Sequence, residues 1–73
     1  MTANQFPTNE ATEILNREAA NYGDEATYEF VRIVEMLDDK TAILAFRQIV
    51  NEKIVKTVCL EFIVTKEGFV KAN

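Results

Sequence analysis

The side chains best suited to chemistry in this sequence are Glu18, Tyr28, Arg32, Gln48 and Lys56. Arg32, Gln48 and Lys56 interrupt segments that alternate apolar and polar residues, and that alternation predicts that all three face the apolar side. A buried cation is costly unless it is paired, reaches water or lines a pocket. Two arrangements satisfy that rule. In one, Glu18 pairs with Arg32, and Lys56 runs its aliphatic stem out to an open edge. In the other, the polar groups form a notch that takes up an anion or small molecule. Glu18 and Tyr28 are its candidate acid–base groups, since a carboxyl beside apolar residues can act as a base.

Other chemistry is closed off by what the chain lacks. It contains no histidine, serine or tryptophan, so Ser-His-Asp and Cys-His arrangements and a histidine-based zinc site cannot be built. Cys59 is the single cysteine, which rules out an internal disulfide and a multi-cysteine metal framework, and in mid-strand it reads as a small apolar residue. The two glycines, Gly23 and Gly68, belong to no phosphate-binding loop. Asp24-Glu25 and Asp38-Asp39 fall at chain turns without the alternating oxygen ligands of a calcium loop. No catalytic residue, metal or cofactor is expected.

The elements that must position these side chains are legible from spacing. Residues 1–7 read as a flexible arm ending at Pro7, and residues 8–22 as a helix. Thr8 or Asn9 would cap it, Glu10 and Glu13 suit its first turns, and Gly23 suits the left-handed residue that ends it. Ala11, Ile14, Leu15, Ala19 and Tyr22 form its apolar stripe. Residues 27–71 read as a β-meander: Tyr28 to Leu37, Thr41 to Val50 and Ile54 to Thr65 are rich in β-branched and aromatic residues, with a short fourth strand over Phe69 to Lys71. Asp38-Asp39-Lys40, Asn51-Glu52-Lys53 and Lys66-Glu67-Gly68 separate them as three-residue loops. A rival helix from Thr41 to Lys56 is disfavoured by eight β-branched residues between Thr41 and Val58.

The expected fold is therefore α+β: an N-terminal helix packed on an antiparallel three- to four-strand meander. Three-residue loops would pair Val34 with Leu44, Val50 with Ile54, Phe46 with Val58 and Leu44 with Leu60. The face under the helix would then carry Tyr28, Phe30, Val34, Met36, Leu44, Phe46, Val50, Ile54, Val58, Leu60, Phe62 and Val64. Arg32, Gln48 and Lys56 share that face. The opposite face would carry Val31, Ile33, Leu37, Ile43, Ala45, Ile49, Val55, Cys59 and Ile63, broken by Glu29, Glu35, Arg47, Thr57 and Glu61. That is on the order of 400 Å² of apolar surface, enough to mark an interaction site.

Composition bounds the partners. Seventy-three residues make one small core, and the hydrophobic fraction of 48% and charged fraction of 27% are those of a globular chain. The net charge of −4 argues against nucleic acid as a partner. No apolar run reaches the length of a membrane span, and the first residues lack the pattern of a secretory signal, so a cytoplasmic location is expected. These readings converge on a small acidic protein-interaction or accessory domain without catalytic activity. It would self-associate, or bind another protein, through the second sheet face or a sheet edge, and the alternative is an anion- or small-molecule-binding protein using the polar cluster.

Overall fold

A computed structural model describes residues 5–23, 25–68 and 70–72. One helix, α1 (Thr8–Asn21), precedes four strands, β1 (Thr27–Met36), β2 (Thr41–Val50), β3 (Lys53–Val64) and β4 (Val70–Ala72). The strands form one antiparallel sheet in the order β1-β2-β3-β4, so each pairs with its neighbour in sequence. This is the α+β architecture expected from the residue pattern, with the fourth strand present. Phe69, where that strand was expected to begin, lies outside the described residues, as do residues 1–4 of the arm.

The helix starts without a side-chain cap. Pro7 occupies the cap position, and neither Thr8 nor Asn9 caps it; Thr8 is already helical. Proline suits this place because the missing N–H is one the first turn cannot use. At the other end Gly23 adopts a φ of +73° and gives its N–H to the Ala20 carbonyl at 3.1 Å, closing the helix as expected. Ala11 and Ala19 are buried, and Ile14 and Leu15 lie against the core, whereas Tyr22 is 89% exposed and does not belong to the stripe. Phe6, in the segment expected to be a loose arm, is buried in the core beside Ala11.

The core lies between α1 and one face of the sheet. Leu44, Phe46 and Phe62 are its largest fully buried side chains. The Phe46 ring meets Phe30 edge-on at 6.0 Å and Phe62 at 5.7 Å, tying three adjacent strands together. The helix backbone comes closest to the outer strands β1 and β4, and the bulky side chains of the central pair fill the space beneath it.

Two departures from strict alternation decide which residues face where. In β1 the register slips between Phe30 and Arg32 and again between Ile33 and Glu35, so Val31 and Val34 are extra residues without a partner in β2. Each bulge reverses the parity of the residues after it. Ile33, not Val34, lies opposite Leu44 and packs on the core, while Val34 is 38% exposed. Arg32 lies opposite Ala45 and is exposed on the side away from the helix. The expectation that Arg32 and Val34 face the helix and Ile33 the other side is overturned. A pair of bulges lets the guanidinium reach water and avoids burying it beside Phe46.

The β2–β3 connection also differs from expectation. Asn51 and Glu52 have φ of +52° and +66°, two successive left-handed residues, which makes a two-residue loop of the type I′ kind. Val50 therefore pairs with Lys53, and Ile49 with Ile54, in place of Val50 with Ile54. An extra residue at Val55 then restores the expected pairing of Gln48 with Lys56, Phe46 with Val58 and Leu44 with Leu60. Ile54 is 62% exposed and is not a core residue.

Candidate functional site

The expected polar cluster is taken apart by these registers. Tyr28 and Gln48 are cross-strand partners, and the Gln48 side-chain N–H donates to the Tyr28 hydroxyl at 2.9 Å. Lys56 lies opposite Gln48 on the next strand and is exposed. Glu18 is exposed on the helix, and Arg32 is on the far side of the sheet from it, so these two do not form the expected pair across the core. What remains is a half-buried tyrosine–glutamine bond with a lysine beside it. Among the described residues no enclosed site for an anion is assembled there.

The second sheet face is built as a surface. Successive cross-strand rows on it read Glu35-Ile43-Glu61, Arg32-Ala45-Cys59, Glu29-Arg47-Thr57 and, toward the β2–β3 turn, Thr27-Ile49-Ile54. Ala45 is buried and Ile43 and Ile49 are half-buried, and Ile63, opposite Thr41, extends the apolar band toward the other end. None of these isoleucines packs on the core under the helix. Val31 and Val34, pushed outward by their bulges, are each 38% exposed, and Val55 is 59% exposed beside Ile54. Of the six residues expected on this surface, Val31, Ile43, Ile49, Val55 and Ile63 are turned away from the core, and Ile33 is not.

Glu29, Arg32 and Glu35 line this face on β1 and Glu61 on β3, and Arg47 stands on β2 between Ala45 and Ile49. Arg47 donates to Glu29 at 3.3 Å, an exposed pair across β1 and β2. Cys59 is exposed opposite Ala45, so it is no buried filler but a thiol open to solvent at the β3 end of that row. Tyr22 and Leu37 add isolated apolar exposure elsewhere.

A depression of about 560 Å³ lies at the β1–β2 turn, open to solvent and lined by Asp38, Asp39, Lys40, Thr41 and Ile63. Asp38 accepts the Lys40 backbone N–H at 2.8 Å, a turn closed by its own side chain. That bond, together with one from the Thr41 side chain, favours the charged form and holds the Asp38 carboxyl below the ordinary aspartate range. The arrangement explains the turn. Among the described residues no group of three or more His, Cys, Asp or Glu side chains converges as metal ligands, and no helix is long and apolar enough to cross a membrane.

Against known proteins the chain stands apart: no family model, no curated protein and no solved structure matches it.

The signal that would have revealed the bulges is present in the residues themselves. Phe30, Ile33 and Met36 are three apart, and all three contact the core. A spacing of three in a strand that otherwise alternates requires an extra residue between each pair. Arg32 and Glu35 fall in the gaps and are turned out with Val31 and Val34.

Proposed function

We propose that this chain is a protein-interaction domain without a catalytic role, which acts by self-association through the sheet face that α1 leaves bare. The observation that carries this reading is the apolar surface on the bare face, interrupted at the row of Glu29, Arg47 and Thr57. Ile43, Ala45, Ile49 and Ile63 lie on the central strands, the bulged valines flank them on β1, and Ile54 and Val55 extend them at the β2–β3 turn. A single helix can cover only one side of a sheet, and a two-fold partner supplies the missing layer. Glu29 and Glu35, on the outer strand β1, then fall toward a polar rim, and Arg47 enters the contact already paired with Glu29. Dispersal of Glu18 and Arg32 from Gln48 and Lys56 takes support from the anion-binding alternative.

The test is sedimentation over a range of concentrations. The native chain is expected to associate through this face, and Ile43→Lys to stay folded and lose that face-to-face association. Cys59 provides an independent reading, because its reaction with a soluble thiol reagent should slow as the concentration rises. A native chain that stays monomeric with a concentration-independent Cys59 sinks the proposal.

A further inference from the structure

We infer that the outer edge of β3 is a second self-association site, at which the strand pairs antiparallel with the same strand of another copy. β2 pairs with β3 from Lys53 to Ile63, but β4 covers the other side only from Phe62 to Val64. Residues 53–60 therefore have no strand partner on that side among the described residues. The helix makes most of its backbone approaches to β1 and β4. Lys53, Ile54, Val55, Lys56, Thr57 and Cys59 are all exposed.

The other edges of this sheet are treated differently. β1 carries two bulges, and the backbone N–H and C=O of Tyr28 are both taken by Asn16. β4 is three residues long. Bulges, occupied backbone groups and short length are the ordinary ways of disabling an edge. Among the described residues, β3 is the strand that keeps a regular run with an open edge, from Lys56 to Leu60, once the extra residue at Val55 has been passed.

Its hydrogen-bonding direction is set by one bond. Val64 gives its N–H to the Lys40 carbonyl at 2.8 Å, on the β2 side. Alternation turns Leu60, Val58 and Lys56 the same way, and turns the N–H and C=O of Cys59 and Thr57 outward. A two-fold axis at Val58 sets Thr57 of each copy opposite Cys59 of the other, and each such pair exchanges two backbone bonds. Four hydrogen bonds result within the regular run.

Side chains fit the same register. On the helix side Val58 would meet Val58 of the second copy, and the stem of Lys56 would cover its Leu60. Val58 and Leu60 are half-buried and lie against the core. The antiparallel direction also keeps Lys53 and Lys56 of the two copies apart, whereas parallel pairing would lay lysine on lysine. The axis differs from that of face-to-face packing, so the two contacts can coexist and can be tested apart.

The experiment is amide hydrogen exchange on the native chain from micromolar to millimolar concentration, alongside sedimentation. Protection of the Thr57 and Cys59 amides should rise at least about tenfold with concentration, while the Val58 amide, bonded within the sheet, stays protected throughout. Thr57→Pro removes an outward donor without removing a bond to β2 and should abolish this rise, and Thr57→Val should retain it. Ile43→Lys, which disrupts the bare face, should leave it intact. Thr57 and Cys59 amides that exchange at the same unprotected rate at every concentration overturn the inference, whether the chain is a dimer through its face or a monomer.

Discussion

Asn16 of α1 closes its side-chain amide on the backbone of Tyr28, accepting the Tyr28 N–H at 2.7 Å and donating to its carbonyl at 3.0 Å. The same amide donates to the Thr12 carbonyl within the helix at 3.1 Å. One polar side chain thus stands in for a strand at the outer edge of β1, and it fixes where the helix sits along that strand. Tyr28 in turn accepts from Gln48, so the chain of contacts runs from helix to edge strand to central strand.

Removing this link should therefore cost more than an ordinary surface bond. Asn16→Leu leaves two half-buried backbone groups without partners, and a loss of about 1–3 kcal/mol in urea unfolding is expected. Asn16→Asp keeps an acceptor for the N–H but sets a second oxygen against the Tyr28 carbonyl, so it should not rescue the loss. A change within a few tenths of a kcal/mol for both variants would show that the helix is held by apolar packing alone.

How far this architecture was legible depended on the kind of signal. The helix announced itself through Ala11, Ile14, Leu15 and Ala19 and through Gly23, because periodicity and a left-handed stop are local properties. The strands were readable from β-branched runs broken by short polar separators. Facing was harder. Val31, Arg32, Ile33 and Val34 are compatible with either parity, and what selects between them is the cost of placing Arg32 against Phe46, a tertiary quantity. The candidate polar cluster inherited that error, since it assumed unbroken alternation through β1.

The loop at Asn51 and Glu52 offers a test of the same reasoning in a local setting. Asparagine tolerates a left-handed conformation, but glutamate at φ +66° bears a steric cost. Glu52→Gly should raise stability by about 1 kcal/mol, read as a higher thermal midpoint, and Glu52→Val should lower it. Equal midpoints would mean that the turn is not of the primed type.

Acid should act on the opposite turn. Because hydrogen bonds from Lys40 and Thr41 favour charged Asp38, its folded pKa is depressed, and its contribution is fully present above the unfolded value of about 3.9. It is lost as pH falls through the lower, folded value. The Lys40 amide, followed by NMR, should lose its hydrogen-bonded shift in that window. In Asp38→Asn the window should vanish; a Lys40 titration that persists would point to another carboxylate.

The bulges make a prediction that strict alternation reverses. Ile33 packs on the core opposite Leu44, so Ile33→Ala should cost about 2–4 kcal/mol at any protein concentration. Val34→Ala, at an exposed position, should cost little. Ile43 differs from both, because it is half-buried in the single chain on the face away from the helix. Ile43→Ala should weaken association more than it destabilises the isolated domain, and its effect on unfolding should therefore grow with concentration. If alternation ran unbroken through β1, Val34→Ala would be the damaging change and Ile33→Ala would behave like Ile43→Ala. Denaturant unfolding of the three variants at two concentrations separates the cases, and it tests with one set of proteins both where β1 turns its side chains and whether the bare face is covered in solution.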